Sequence, residues 1–339
     1  LNSCVKEVEG SIGQFRTTLT TPGGEEQIRH GAAVIATGAA EWKPEGFGYG
    51  ENPHVLTGLE LEKALMDQDA ALTQARSMAF IQCVGSRIPE RPYCSKVCCT
   101  QSVKNALKLL EHNPELRVYI IYRDLRTYGL RETLYREARE KGVHFIRYDF
   151  DKGLTVGAED GKPKIRFTDA VLNRRMALTT DFLILASAIV PQQETDIARM
   201  FKVSLNQDGF YLEAHAKLRP VEFPTDGVFV CGLAHSPMPI EEAVAQGQAA
   251  AAKAATVLSS PKTKIGGMVA EINRAFCTGC RVCVEICPFK ALDLDEQGKA
   301  VVNEALCKGC GLCAASCRSG APSLKGFSNE AVLAQVAES

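Results

Sequence analysis

Eight cysteines near one end of the sequence could do the most definite chemistry. Cys277, Cys280, Cys283 and Cys287 follow the spacing C-x2-C-x2-C-x3-C, closed by Pro288, and Cys307, Cys310, Cys313 and Cys317 repeat it thirty residues on. The flanks repeat as well, INRAFCTGCRVCVEICPFKALDL against VNEALCKGCGLCAASCRSGAPSL. Thiolates at this spacing are ligands for iron–sulfur cubes, because three on one tight loop grip three irons when the backbone curls its amides towards the sulfides. Gly279, Gly309 and Gly311 permit that curl. Structural zinc would want two C-x2-C pairs rather than eight cysteines in duplicated order.

In such duplicated runs the fourth cysteine of each ligates the other cube. One [4Fe-4S] cluster is therefore expected on Cys277, Cys280, Cys283 and Cys317, and a second on Cys307, Cys310, Cys313 and Cys287. The duplication predicts two halves related by a pseudo-twofold, each a short strand, a cysteine loop and a helical turn. Arg318 stands where the second proline would be.

Four more cysteines, Cys83, Cys94, Cys98 and Cys99, lie in CVGSRIPERPYCSKVCCTQSVKNALKLLE, at the end of one apolar stretch and the start of a helical one. Their spacing alone leaves two readings open, a further cluster or buried and redox-active thiols. No G-x-G-x-x-G follows a strand anywhere, so the turn that would cradle a nicotinamide dinucleotide carries thiols instead. Cys4 and Cys231 fall outside any ligand spacing and read as small buried side chains.

The elements that position these thiols alternate short apolar strands with helical stretches, the pattern of an α/β domain. HGAAVIATGA (30–39) reads as a strand running into Thr37 and Gly38. Thr225 to Ala255 reads as a strand, a turn at Gly232 and a small-residue helix. Further strands are expected at 77–85, 116–124 and 143–148, and a helix at 101–111. Trp42, Phe47 and Tyr49 are expected to pack against the core.

The chain has 339 residues, 45% hydrophobic, enough for two or three compact domains. Thirty-nine basic residues against forty acidic ones leave a net charge of -1, with no nucleic-acid footprint or polybasic anchor. The longest apolar run, Phe182 to Pro191, is far short of a membrane span. Fourteen clustered cysteines without a secretory leader imply a reducing compartment, so a cytoplasmic location is expected. Leu1 opens the sequence almost directly on a strand-like stretch, which suggests a fragment or a partner-dependent piece. Six scattered histidines, with neither a Ser-His-Asp order nor paired carboxylates, give no sign of hydrolysis.

The segments around Gly38 and Gly232 resemble the second-half motifs of flavoproteins of the thioredoxin reductase class. There the late turn and the helix after it approach the flavin, which implies FAD contacts at Thr37, Gly38, Gly232, His235 and Glu242. Leu233 replaces the acidic residue usual after the glycine, and the first βαβ unit, with its phosphate loop, is missing from the pattern. The fold class expected is thus α/β, an incomplete FAD/NAD(P)-binding core followed by an α+β double-[4Fe-4S] ferredoxin-like domain. Its parts are residues 1–74 and 191–258 for the flavin unit, 75–190 for a nicotinamide-type unit carrying thiols, 259–267 for a linker and 268–335 for the ferredoxin-like domain.

CVGSR, YCSKVCC and the terminal double-cluster region together resemble the HdrA iron–sulfur flavoproteins of heterodisulfide reductase and the related quinone-interacting oxidoreductase subunits, over essentially the whole chain. That resemblance implies a third [4Fe-4S] cluster on Cys83, Cys94, Cys98 and Cys99. It also implies that Lys104 approaches flavin N5, where a cation stabilises an anionic reduced flavin. It further implies electron transfer, in some members bifurcating, to other subunits of a heterodisulfide-reductase-like complex, with ferredoxin, hydrogenase or dehydrogenase donors and a possible homodimer. The competing function is a self-contained NAD(P)H-dependent ferredoxin or disulfide oxidoreductase, which needs a nicotinamide phosphate loop and a C-x2-C pair in the core. Neither is found before residue 260.

Overall fold

The computed structural model describes residues 2–192, 196–260, 262 and 268–338. The chain opens on an antiparallel meander, β1 (Cys4–Glu9), β2 (Phe15–Thr21) and β3 (Gly24–His30), followed by β4 (Ala33–Ile35) and β5 (Ala39–Glu41).

The next unit holds β6 (Val55–Thr57), α1 (Gly58–Met66), α2 (Ala70–Gln74), β7 (Ser77–Val84), α3 (Cys98–His112), β8 (Arg117–Tyr122), α4 (Glu132–Glu140) and β9 (His144–Arg147). An antiparallel meander, β10 (Leu154–Glu159), β11 (Lys162–Asp169) and β12 (Arg174–Thr179), leads to β13 (Phe182–Ser187) and β14 (Ile189–Pro191). The sheet order is β6-β13-β7-β8-β9, every neighbour parallel. Every residue of β7 and β13 is buried, as a strand covered on both faces requires.

One face of this sheet packs on Leu61 of α1, Val103, Ala106 and Leu110 of α3, and Ala138 of α4. The other packs on Ile165 and Phe167 of β11, with Trp42, Phe47 and Tyr49 against the same cluster, so those aromatics are core. Gly85 is required beneath Trp42: a Cβ there would lie 2.1 Å from the indole. Thr57 caps α1 reciprocally with Glu60, which fixes the turn out of β6.

The chain then forms α5 (Asp196–Met200), β15 (Val228–Val230) and α6 (Ile240–Leu258). Strands β4 and β15 are parallel neighbours, and β5 and β14 pair antiparallel where the chain enters and leaves the second unit. That unit is thus inserted between β4 and β15. Its limits differ from the expected boundary at residue 75, because β6 pairs with β13, and Leu61 and Leu72 join the core of α3. An apolar triplet after a glycine-rich loop looks the same in sequence whichever sheet it joins.

The terminal domain contains β16 (Ala270–Ile272), α7 (Val282–Ile286), β17 (Leu292–Leu294), β18 (Ala300–Val302), α8 (Leu312–Ser316), β19 (Pro322–Leu324) and α9 (Asn329–Ala337). Strand β16 pairs with β19 and β17 with β18, both antiparallel, the two-fold arrangement that the duplication predicts. Most of the expected linker, 261 and 263–267, lies outside the described residues. No described helix is long and apolar enough to cross a membrane.

Candidate functional site: three sets of thiols and two glycine turns

In the terminal domain each cysteine run leaves a short strand, curls, and enters a one-turn helix. Gly279, Gly309 and Gly311 all have φ between 62° and 78°. A Cβ on Gly279 would sit 2.5 Å from the Gly298 carbonyl oxygen, and one on Gly309 2.5 Å from that of Met268, so no larger residue fits the curl. Arg281, equivalent to Gly311, takes the same left-handed conformation at φ 65°.

These curls enclose two cavities. One is lined by Cys277, Cys280, Cys283 and Cys317. The other is lined by Cys307, Cys310, Cys313 and Cys287. Each collects three thiols of one run and the last thiol of the other. Main-chain amides point at the sulfurs with the same two-fold symmetry: Ala300 N donates to Cys277 Sγ at 3.4 Å and Ala270 N to Cys307 Sγ at 3.3 Å. Burial, then the charge of neighbouring thiols, pushes Cys283 and Cys313 above the usual thiol range. The Ser319 hydroxyl, 3.3 Å away, pulls Cys317 below it. Crowded, partly buried thiols of one charge sign call for a cationic partner, and the walls of both cavities fit an iron–sulfur cube. Among the described residues no three His, Cys, Asp or Glu side chains converge at the spacing for one metal ion. A cube takes its thiolates one per iron, a wider set.

The third set of thiols closes the end of β7. Cys83 sits at φ 62° as the strand turns away, Cys94 follows in the loop, and Cys98 and Cys99 open α3. Cys83, Cys98 and Cys99 are buried, and Cys94 is half-buried. The four act on each other. A hydrogen bond to Cys99, burial, and the charges of Cys99, Cys83 and Cys94 push Cys98 well above the ordinary range. Its partner Cys99 is pulled down to about 7 by that hydrogen bond, aided by the Arg126 amide against the effect of burial. The start of α3 favours a thiolate further. Lys96 N donates to Cys94 Sγ at 3.3 Å. Gln82 Oε1, Ser86 Oγ and Thr100 Oγ1, on residues next to or near Cys83 and Cys99 along the chain, are buried without a hydrogen-bond partner. Orphaned polar atoms beside four converging thiols fit a polar inorganic group between them.

The third region is the pair of turns after β4 and β15. Pairing of those strands sets Thr37 and Gly38 beside Gly232, with φ of 75° and 69° at the glycines and open space where each Cβ would be. Thr37 hydrogen-bonds Tyr211. His235 and Glu242 are both engaged in hydrogen bonds within the protein. His235 Nε2 meets Glu213 at 2.8 Å and Nδ1 meets the Gln246 amide nitrogen at 2.8 Å, while Gln246 Oε1 accepts from Gly232 N at 3.1 Å. His235 thus braces the turn. Glu242 accepts from Tyr128 Oη at 2.9 Å and from Lys96 Nζ at 3.5 Å, tying α6 to the cysteine loop. Beside it Arg131 pairs with Glu241, Nε to Oε1 at 3.0 Å. Lys104 stands on the exposed face of α3, its Nζ 3.0 Å from Glu62 Oε1 of α1. Burial works to raise Glu62, but Lys104 and neighbouring amides outweigh it and hold the carboxyl below its usual range.

Sequence reasoning missed Arg87, Lys96, Asp124, Glu213 and Gln246. Two of them stand inside the cysteine motif itself, in CVGSR and YCSKVCC; the other three gave no local signal.

Residues 276–321 match the family model of the 4Fe-4S dicluster domain. The core resembles the solved thioredoxin reductase of T. acidophilum, with a TM-score of 0.50 and 14% identity over 76% of this chain and 74% of that one, a likeness of fold. The fold and site together define an iron–sulfur protein built on a thioredoxin-reductase-type core. The chain is 38% identical over 298 residues to the second HdrA-type iron-sulfur subunit of the CoB–CoM heterodisulfide reductase of Methanopyrus kandleri, covering 82% of this chain and 44% of that protein. It is 36% identical over 331 residues to the HdrA subunit of the ferredoxin:CoB–CoM heterodisulfide reductase of Methanosarcina mazei, covering 92% of this chain and 41% of that one. The chain belongs to the HdrA family of heterodisulfide reductase subunits and spans less than half the length of these two relatives.

Proposed function

We propose that this chain is an electron-transferring subunit of a heterodisulfide-reductase-type complex, holding three [4Fe-4S] clusters. The observation that carries the reading is the crossed lining of the two terminal cavities, each with three thiols of one run and the fourth of the other. Cys277, Cys280, Cys283 and Cys317 would hold one cube, Cys307, Cys310, Cys313 and Cys287 the next, and Cys83, Cys94, Cys98 and Cys99 the third. When bound, these groups supply one-electron transfer. The protein supplies thiolates and amide donors to sulfur.

The third set lies on the unit tied to α6 through Lys96 and Glu242, so the cysteine loop is held against the Gly38 and Gly232 turns. Those turns suit the ring side of FAD. No glycine-rich phosphate loop lies among the described residues, so we place the phosphate cradle outside them. Lys104, on the helix that begins with Cys98 and Cys99, is the cation we assign to the flavin. Lys104→Ala is expected to shift the flavin potentials in the assembled complex, and an unaltered redox titration would return Lys104 to the solvent face.

Substrate chemistry would then fall to partner subunits, with ferredoxin, hydrogenase or dehydrogenase as donor. A self-contained nicotinamide enzyme gains no support, because thiols fill the turn where its phosphate loop would open.

Anaerobic iron, sulfide and flavin quantification on the reconstituted chain tests the proposal. About twelve irons per chain are expected. About eight would confine cluster binding to the terminal domain, and fewer than four would remove the electron-transfer reading altogether.

A further inference from the structure

Arg87 is the best-anchored cation at the cysteine loop, and none of the roles assigned above uses it. Its backbone, at φ 59°, is pinned on both sides: Arg87 N donates to the Tyr93 carbonyl at 3.1 Å, and the Arg87 carbonyl accepts from Arg123 Nη1 at 2.8 Å. Its side chain is four-fifths covered, and its guanidinium ion-pairs with Asp124 and reaches Cys83 Sγ at 3.9 Å. Asp124 also meets Arg126 Nη2 at 3.4 Å, and Asp124 and Arg126 both lie within electrostatic reach of Cys99. Two guanidiniums therefore share one carboxylate, which leaves the thiol side electropositive. Ser86, between Cys83 and Arg87 and 1% exposed, keeps its hydroxyl unpartnered. A hydroxyl is a donor, and the sulfides and thiolates of a cube are acceptors.

We propose that Arg87 is a redox-tuning residue: its guanidinium, fixed at Cys83 Sγ by Asp124 and by its pinned backbone, raises the reduction potential of the cube assigned to Cys83, Cys94, Cys98 and Cys99. Ser86 acts with it as a second donor. The inference rests on the ligand assignment proposed above. Reduction moves one electron from a low-potential donor onto a cube that is already anionic, with no bond made or broken. The added charge spreads onto the sulfurs, where a cation and hydrogen-bond donors favour the reduced form over the oxidised one. Low dielectric around a buried site strengthens the effect.

The test is an EPR-monitored titration of the full reconstituted chain with dithionite, after iron has been counted. The relevant signal is the one absent when Cys98 and Cys99 are both serine. Arg87→Gln is expected to lower the one-electron reduction constant at least tenfold, a shift of about 59 mV to lower potential. Arg87→Lys, which keeps the charge, is expected to recover most of it. About twelve irons with an unmoved midpoint in Arg87→Gln would overturn the role of Arg87 and leave the third cluster standing. About eight irons in the unaltered chain would remove the ligand assignment and this inference with it. Should Arg87→Gln fail to assemble, Arg87→Met decides: it keeps the length of the side chain and removes the charge, the midpoint is expected to fall as in Arg87→Gln, and an unchanged or raised value overturns the proposal.

Discussion

Serine at Cys98 and Cys99 together is expected to remove about four irons per chain and leave about eight in the terminal domain. The expectation follows from where these two side chains sit. They are the first residues of α3, buried, and within the electrostatic reach of each other and of Cys83 and Cys94. Serine matches cysteine in shape but supplies a hydroxyl where a cube needs a thiolate. Because α3 keeps its buried face of Val103, Ala106 and Leu110 in the double variant, the fold is expected to persist and circular dichroism to be unchanged. Cys231→Ser is the control. That thiol lies at the turn after β15, outside the set, and its loss is expected to leave the iron count alone. Full iron in the double variant would end the third-cluster assignment and return these residues to the reading of buried, redox-active thiols.

The terminal domain is legible in the sequence because its chemistry is local. Cysteines at C-x2-C and C-x3-C spacing fix a loop, the glycines that the loop requires stand beside them, and an internal duplication implies two similar halves. The core is legible in part. Strands β7, β8 and β9 stand where the pattern puts them, whereas the run at Phe182, which becomes the fully buried β13, reads in sequence only as an apolar stretch. What the pattern does not show is which sheet a short strand joins. It groups Val55–Thr57 with the flavin side, yet the partner strand β13 lies more than a hundred residues on. The electrostatic setting of the cysteine loop is hidden for the same reason. Asp124 and Arg126 follow β8, and only the parallel pairing of β7 with β8 brings them to Arg87 and Cys99. His235 shows the limit from the other side, since its place after Gly232 suggests a ligand contact. Both its nitrogens are taken by Glu213 and by Gln246, which lies eleven residues further along.

The second large effect concerns which cube each terminal cysteine serves. Cys317 ends the second run, yet it lines the cavity of Cys277, Cys280 and Cys283. Cys317→Ser is therefore expected to cost about four irons, all from the cube of the first run. Iron counts of double variants can show this, because two substitutions in one cube are not additive, whereas substitutions in different cubes are. Cys317→Ser combined with Cys277→Ser is expected to lose no more iron than either alone. Combined with Cys307→Ser, it is expected to lose about eight. Run-by-run ligation predicts the reverse, an additive loss in the first pair and a shared loss in the second. The same reasoning, applied to Cys287 with Cys307 and with Cys277, gives an independent pair of counts. Crossed ligation also means that neither run completes its cube alone. Ala270 of β16 donates to Cys307, and Ala300 of β18 donates to Cys277, so each half of the duplication completes the sulfur environment of the other. Breaking one cube in this way is expected to loosen both halves of the domain, read as faster amide exchange in β16 and in β18 alike.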